Sequence, residues 1–267
     1  MTIIDGKKIA AEILAKLKSR PAPKKFLAVI LIGDDAASAS FVKQKEKTAK
    51  ELGADFRLYK FPADINNDEL REEVRKIAEH QTCGGVIVQL PLPEHVNAQY
   101  VLNAIPREKD LDVLGERALG AFYASRNPVL PPAVGAVGEI LRIMNNELRI
   151  MKVAVVGLGP LIGKPVSMWL MRKVAGLYLL HRGSDFSLLK NADLVISGVG
   201  EAGIVKPEML KPGAGVIDFG YDGNRGDFDS SPSSSLSLLA FYTPTPGGTG
   251  PILVAKVFEN FYALNSD

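Results

Sequence analysis

Hydrophobic positions in this chain alternate between short apolar runs and segments with helical spacing. Uninterrupted apolar runs, typical of buried strands, occur at 26–32, 86–88 and 153–156. Elsewhere apolar residues recur three and four positions apart, as at Ile9 and Ile13 in the first segment. This alternation predicts an α/β fold with mostly parallel sheets and helices on their faces.

The first half predicts one strand–helix series. Its expected elements are a helix near 6–17, a strand at 26–32, a helix at about 40–52 capped by Ser38 or Ser40, a strand at 56–59, a helix opened by Asn66 with Glu69, a strand at 86–88 and a helix at 98–105. Pro91 and Pro93 must end the third strand, because proline cannot donate to a sheet ladder. Gln89 is therefore expected at the carboxyl edge of the sheet, where ligands bind in open α/β folds.

The second half predicts another series after a proline-rich joint at 128–132. Its expected elements are a helix at 137–144, a strand at 152–156, a glycine-rich turn at 157–163, a helix to about 175, strands at 177–180, 194–197 and 216–219, a serine-rich loop at 229–237 and a helix at 252–264. We expect two α/β domains flanking a cleft, at 1–125 and 130–247, the second of Rossmann type. The C-terminal helix, 250–267, is expected to pack back on the first domain.

Charge and cysteine content narrow the class of protein. A net charge of +2 gives no basis for binding nucleic acid or an anionic membrane. A single cysteine, Cys83, excludes an internal disulfide and fits a reducing compartment. Without a signal segment or a spanning apolar stretch, a cytoplasmic protein is expected. His80 and His95 are isolated in sequence, so no metal site is predicted.

The turn after the strand at 152–156 indicates a nucleotide. Gly157, Gly159 and Gly163 lie between a predicted strand and a predicted helix, where backbone N–H groups can approach a pyrophosphate. The alternative is a glycine-rich turn without a ligand. At the end of the next strand, His181 and Arg182 stand where an NAD site would place an acidic residue, and arginine suits the 2′-phosphate of NADP. His181 could instead only cap the strand, and Arg182 could be a solvated charge.

Three further polar residues have ordinary interpretations when each is taken alone. Lys45 on a helix is usually a solvated charge, Gln89 a structural amide, and Asp112 a loop carboxylate in the 109–112 run.

Together, however, these residues belong to a set of recognisable motifs. The motifs are IIDGKKIA at 3–10, SFVKQKEK around Lys45, GGVIVQLPLP at 84–93, KDLD at 109–112, VVGLGPLIGKP at 155–165, ADLVISGVG at 192–200, GVIDFGYD at 215–222 and TPTPGGTGP at 243–251. Through them the chain resembles, almost end to end, the bifunctional methylenetetrahydrofolate dehydrogenase/methenyltetrahydrofolate cyclohydrolase family.

The resemblance implies a cytoplasmic homodimer of one-carbon metabolism that acts on tetrahydrofolate derivatives. It implies oxidation of 5,10-methylenetetrahydrofolate with NADP, or with NAD, and hydrolysis of the methenyl product to 10-formyltetrahydrofolate. The implied catalytic residues are Lys45, Gln89 and Asp112, with Asp112 anchoring the pterin. Implied substrate contacts are Phe41, Leu90, Pro91, Pro246, Gly247 and Gly248. Implied cofactor contacts are Gly157, Gly159, Pro160, Leu161, Gly163, His181, Arg182, Gly198 and Thr249.

The chain departs from the family pattern at several positions. Phe41 stands where tyrosine is usual, Val113 where glycine is usual, and Leu158 where an arginine helps to bind the 2′-phosphate. One alternative is therefore a diverged folate- or nucleotide-binding protein with one or neither activity. Another, resting on architecture alone, is an amino-acid or shikimate-type dehydrogenase.

Overall fold

The computed structural model describes residues 1–145 and 147–266, which form two compact units. One unit, Met1–Ala11 with Ala133–Leu253, contains a six-stranded sheet and is called the six-stranded unit. The other, Glu12–Pro132 with Val254–Asp267, contains a three-stranded sheet and is called the three-stranded unit. Strand pairing in both sheets is parallel, which confirms the predicted α/β fold class.

The strands are β1 (Thr2–Ile3), β2 (Phe26–Ile32), β3 (Phe56–Phe61), β4 (Cys83–Val88), β5 (Lys152–Val156), β6 (Gly176–Leu180), β7 (Leu194–Ser197), β8 (Gly215–Asp218) and β9 (Phe241–Tyr242). The helices are α1 (Gly6–Lys18), α2 (Ala36–Leu52), α3 (Asn67–Glu79), α4 (Ala98–Leu102), α5 (Glu116–Tyr123), α6 (Pro132–Ile143), α7 (Gly163–Leu170) and α8 (Thr249–Leu264). Strands and helices alternate from β1 to α4, then α4, α5 and α6 follow one another, and strands β6 to β9, in the described range 176–242, are joined without an α-helix.

In the three-stranded unit, β2 lies between β3 and β4. Every residue of β2 is buried, and its two faces carry different cores. Phe26, Ala28 and Ile30 face a core with α3 residues such as Leu70 and Val74. The opposite face contacts α2 and the last turns of α8, in a cluster with Leu27, Val29, Leu31, Val254, Val257, Phe258, Phe261 and Tyr262. Burial on both sides explains why β2 is an uninterrupted apolar run.

In the six-stranded unit the strand order is β1-β9-β8-β7-β5-β6. From β5 the chain moves to β6 on one side and then to β7 on the other. The order therefore reverses at β5, and the carboxyl ends of β5 and β7 frame the crevice in which open α/β sheets bind ligands. This is the arrangement of a Rossmann-type sheet, as the sequence predicted for the second half.

The first eleven residues lie with the six-stranded unit, whereas the sequence analysis placed them in a 1–125 domain. Main-chain hydrogen bonding gives the reason. Thr2 N donates to Ala240 O over 2.8 Å and Ile4 N to Tyr242 O over 2.9 Å, so β1 adds an edge strand beside β9. A two-residue strand has no hydrophobic period, so nothing in the sequence indicated this pairing.

Several element boundaries differ from those expected. Helix α2 begins at Ala36 rather than near 40, because Asp35 Oδ2 accepts from Ser38 N over 2.7 Å, so neither Ser38 nor Ser40 is the cap. Helix α7 ends at Leu170 rather than near 175, since Arg172 adopts a left-handed conformation with φ 66°. The cap of α3 matches its prediction, with Asn66 Oδ1 accepting from Glu69 N over 2.9 Å.

Helix α5 and the strands β1 and β9 were absent from the predicted series. No helix of residues 1–145 or 147–266 combines the length and the apolar character needed to cross a membrane.

Candidate functional site

The carboxyl edge of the three-stranded sheet holds Gln89. From β2 the chain moves to β3 on one side and to β4 on the other, so this edge is also a point where the strand order reverses. Gln89 N donates to Ile30 O over 2.9 Å, which prolongs the β4 ladder by one residue. Its Nε2 donates to Leu90 O over 2.9 Å, so the amide oxygen points the other way. The Leu90–Pro91 peptide bond that follows is cis.

The amide oxygen of Gln89 meets a buried lysine. Lys45 Nζ donates to Gln89 Oε1 over 2.9 Å, and Lys45 is 6% exposed. Lys45 lies on the buried face of α2, between Val42 and Ala49, where an apolar side chain would normally lie. This spacing was visible in the sequence and indicated burial, although taken alone a helix lysine indicates a solvated charge. The structure therefore brings two of the predicted site residues into direct contact.

Burial shifts the pKa of this lysine. The pKa of the Lys45 ammonium lies below its ordinary value, because the charged form loses solvation inside the protein. The negative charge of Asp112 opposes that shift. Burial likewise raises the pKa of the Asp112 carboxyl, and the positive charge of Lys45 opposes the rise. Asp112 therefore lies within electrostatic range of Lys45.

The segment that carries Asp112 is held by a second aspartate. Asp110 is 2% exposed, and its Oδ2 accepts from Leu114 N over 3.0 Å and from Gly115 N over 2.8 Å. Burial raises the pKa of Asp110 to about 7, against the effect of these hydrogen bonds. Between the two ends of this loop, Val113 has φ 58°, a conformation that a β-branched residue rarely adopts. Asp110 thus holds in place the loop in which valine replaces the family's glycine.

Helix α8 supports the same segment from the opposite side. Asn260 is 7% exposed, and its Nδ2 donates to Leu111 O and to Leu130 O, each over 2.8 Å. An asparagine inside an apolar helix face is the sequence signal for this role, which was not predicted.

The other predicted substrate residues are divided between the two units. Phe41 and Leu90 are half-buried against the cores of the three-stranded unit, and Pro91 is exposed. Pro246, Gly247 and Gly248 belong to the six-stranded unit, in a turn with a cis Thr245–Pro246 bond. A Cβ on Gly6 would overlap the Gly248 carbonyl oxygen, so the start of α1 packs directly on this turn.

The glycine-rich turn after β5 has the close backbone approaches that its sequence predicted. Gly157 has φ 84°, and a Cβ on Gly163 at the start of α7 would overlap the Gly157 carbonyl oxygen. Pro160 and Leu161 are exposed at the tip, while Gly159 has open space around its Cβ position. No side chain of these glycines therefore covers the backbone where a pyrophosphate would approach.

Other predicted cofactor residues lie at the ends of the neighbouring strands. After β6, Arg182 is exposed, and the His181 ring Nδ1 lies 2.7 Å from Arg182 O. After β7, Gly198 begins the loop beside the glycine-rich turn. Thr249 is buried instead, and its hydroxyl donates to Asp218 O over 2.7 Å, which gives it a structural bond within the six-stranded unit.

In the part of the chain that the structure describes, no three His, Cys, Asp or Glu side chains lie close enough together to hold a metal ion.

The six-stranded parallel sheet with its bare glycine-rich turn defines an α/β protein of the dinucleotide-binding class. Residues 4–112 match the family model of the tetrahydrofolate dehydrogenase/cyclohydrolase catalytic domain, and residues 131–266 match that of the family's NAD(P)-binding domain. The chain therefore belongs to the tetrahydrofolate dehydrogenase/cyclohydrolase family.

Individual relatives match this chain in sequence or structure over nearly its whole length. The bifunctional protein FolD of Listeria innocua is 33% identical over 271 residues, covering 97% of this chain and 95% of its own. The FolD methylenetetrahydrofolate dehydrogenase/cyclohydrolase of Campylobacter jejuni has a TM-score of 0.92 at 29% identity, covering 99% and 98%. The FolD of Trypanosoma brucei, solved with NADP and an inhibitor, has a TM-score of 0.89 at 28% identity, covering 98% and 96%.

Family membership confirms the predicted enzyme class. The protein has a dehydrogenase activity that uses a nicotinamide cofactor and a cyclohydrolase activity, both on tetrahydrofolate derivatives. It rules out the amino-acid or shikimate-type dehydrogenase that architecture alone had left open.

Proposed function

We propose that this protein oxidises 5,10-methylenetetrahydrofolate with NADP and hydrolyses the methenyl product to 10-formyltetrahydrofolate, with Lys45 as the catalytic residue of the second step. The observation that carries the proposal is the buried Lys45–Gln89 pair, with Asp112 within electrostatic range of the lysine. A surface lysine at neutral pH is an ammonium ion and cannot accept a proton, whereas a desolvated lysine can.

Gln89 gives Lys45 its orientation. Its Nε2 is held by Leu90 O, so the amide oxygen is turned toward Lys45 Nζ. The amine lone pair then points away from Gln89, toward a water molecule that attacks the methenyl carbon. Lys45 takes the proton that this water loses and returns it to N5 of the folate as the bond between that carbon and N5 breaks. The hydroxyl on the former methenyl carbon loses its remaining proton to solvent as it becomes the formyl carbonyl. The products are therefore 10-formyltetrahydrofolate, one released proton and the original amine.

Asp112 provides the complementary group for the pterin. A carboxylate accepts hydrogen bonds from two adjacent donors, which matches the amino group and N3–H of a pterin ring. Phe41 supplies a flat apolar surface for stacking, and Leu90 and Pro91 border the same edge. Within the six-stranded unit, Pro246 is exposed and Gly247 partly exposed, so their backbone is open to a ligand, whereas Gly248 is buried.

The six-stranded unit would hold NADP, which accepts the hydride from the methylene carbon. Gly157, Gly159, Pro160, Leu161 and Gly163 form the bare turn for its pyrophosphate. Arg182 extends an exposed guanidinium that can pair with the 2′-phosphate, with His181 beside it. Gly198 completes the set of proposed contacts, whereas Thr249 is buried and its hydroxyl is bonded to Asp218 O. We further propose that the protein works as a homodimer in the cytoplasm.

Purified protein tests this proposal in two assays. With 5,10-methylenetetrahydrofolate and NADP it should produce NADPH and the methenyl compound, and with methenyltetrahydrofolate alone it should accelerate hydrolysis above the uncatalysed rate. Tight folate binding without turnover in either assay would identify a diverged binding protein instead. Light scattering after size exclusion tests the homodimer, and a monomeric mass would refute it.

A further inference from the structure

A fully buried carboxylate in the six-stranded unit has no place in the mechanism above. Asp227 is 0% exposed. Its Oδ2 accepts from Ser197 Oγ and from Val199 N, each over 2.6 Å. Its Oδ1 accepts from Gly200 N over 2.8 Å and from Glu201 N over 2.9 Å. These four donors fill the acceptor sites of a carboxylate that is shielded from water.

All four donors belong to the end of β7 and the residues that follow it. Val199, Gly200 and Glu201 are partly or largely exposed, so their N–H groups could otherwise bond to water. Their hydrogen bonds to Asp227 hold these three residues in one conformation instead. We call residues 198–201 the β7 loop.

The β7 loop packs against the glycine-rich turn. A Cβ on Gly157 would lie 2.8 Å from Gly198 O and 2.9 Å from Val199 Cγ2. A Cβ on Gly198 would lie 2.8 Å from Ile162 Cβ. The two segments are therefore in contact at the carboxyl ends of β5 and β7, where the strand order reverses and a dinucleotide is expected.

Glycines at 220 and 226 leave the space that this carboxylate and its neighbour occupy. A Cβ on Gly220 would overlap Asp227 Oδ1, and a Cβ on Gly226 would overlap Asp218 Oδ2. Asp218 Oδ2 in turn accepts from Phe228 N over 3.0 Å, which fixes the backbone next to Asp227. Two glycines and a second buried aspartate thus form the pocket that holds the Asp227 side chain.

We propose that Asp227 is a positioning residue for NADP, whose carboxylate fixes the β7 loop against the glycine-rich turn and so sets the affinity of the cofactor. The inference rests on the proposed cofactor site in this unit. Asp227 acts through the loop and touches neither cofactor nor substrate.

The experiment compares three variants with the wild type. Asp227→Asn keeps the size of the side chain but presents an amide N–H₂ to two of the four donors. Asp229→Asn is the matched control, since Asp229 lies two residues away and bonds to Ser231 N rather than to the β7 loop. Ser197→Ala removes one donor and serves if Asp227→Asn does not fold.

Two quantities are measured without folate present, so neither depends on turnover. Calorimetric titration with NADP, repeated with NAD, gives Kd, and mass spectrometry gives the amide exchange rate of the peptide that spans 198–201. Asp227→Asn should raise Kd about tenfold, equivalent to about 1.4 kcal/mol, with faster exchange in that peptide. Ser197→Ala should raise Kd about threefold. Asp229→Asn should match the wild type in both.

If Asp227→Asn exchanges its 198–201 amides faster but keeps the wild-type Kd for NADP, the proposal is overturned. If Asp227→Asn does not fold, a wild-type Kd in Ser197→Ala overturns it. An equal rise in Asp229→Asn also overturns it, since the effect would then be a general loss of charge. If the wild-type protein binds NADP but fails to reduce it, the proposed function fails while this comparison still decides the role of Asp227.

Discussion

The two units place their proposed sites at equivalent points of similar sheets but build them from different parts of the chain. In both, the strand order reverses at one strand, β2 or β5, and the site lies at the carboxyl ends of that strand and its neighbour. The three-stranded unit uses side chains there, Lys45 and Gln89 above all. The six-stranded unit uses bare backbone at Gly157 and Gly163.

The difference follows from the chemistry that each site would perform. Proton transfer needs a titratable side chain with a shifted pKa, and burial supplies that shift at Lys45. Holding a pyrophosphate needs several N–H donors at close range, which side chains would obstruct. One site should thus be sensitive to changes in functional groups, and the other to added bulk.

The largest expected effect is on the side-chain site. Lys45→Ala should lower the rate of methenyl hydrolysis by about 10³-fold, because no other group would accept the proton from water. The Kd for NADP should stay at the wild-type value. Lys43→Ala, an exposed lysine on the same helix, is the control and should hydrolyse normally. Wild-type hydrolysis in Lys45→Ala would remove Lys45 from the mechanism.

Added bulk should damage the backbone site. Gly163→Ala places a methyl group against the Gly157 carbonyl, so it should destabilise the protein by ~1–3 kcal/mol and raise the Kd for NADP. Thermal melting and calorimetry measure the two effects. Gly159→Ala, whose Cβ meets nothing within 4 Å, should leave the melting temperature unchanged. Equal melting temperatures for both variants would contradict the close packing of this turn.

An exposed charge should matter in the backbone site only where the cofactor itself carries an extra charge. Arg182→Ala should raise KM for NADP about tenfold and leave KM for NAD nearly unchanged, because only NADP has the 2′-phosphate. Lys190→Ala is a control for loss of an exposed positive charge. Equal losses with both cofactors would make Arg182 an ordinary surface arginine.

The smallest effect concerns the support of the side-chain site. The pKa of Asp110 is about 7 in the folded protein and 3.8 in the unperturbed group. Between these values the folded state holds a proton that the unfolded state has lost, so stability falls as pH rises. Asp110→Asn should remove a slope of about 1 kcal/mol per pH unit in this window, measured by urea unfolding. Asp218, with a pKa also raised to about 7, leaves a slope of the same sign in the variant. An unchanged slope in Asp110→Asn would show that the carboxyl is not protonated there.

The sequence predicted the fold where hydrophobic period and turn chemistry act locally. Strand β2 and the α3 cap match their predictions. Burial on both faces requires an uninterrupted apolar run, and the cap requires an asparagine followed three residues later by a glutamate, so both are visible in the sequence. Strand β1 was missed because its two residues pair with β9, far along the chain.

The same distinction applies to the sites. Lys45 and Gln89 were predicted as site residues through the motifs shared with the family, and the glycine-rich turn was predicted from its place between a strand and a helix. The supporting residues Asp110, Asn260 and Asp227 act through backbone partners brought together only by folding. An aspartate in a loop has no local sign that four N–H and O–H donors will converge on it.

The pKa of Lys45 itself tests the central claim most directly. Lysines labelled with ¹³C at Cε are titrated by NMR in the wild type, with Lys45→Ala used to assign the signal. The account predicts one lysine, absent in the variant, that titrates below the ordinary value of 10.5, and a further decrease in Asp112→Asn, where the opposing charge is gone. A Lys45 signal that titrates at or above 10.5 would contradict the claim that burial prepares this amine to accept a proton.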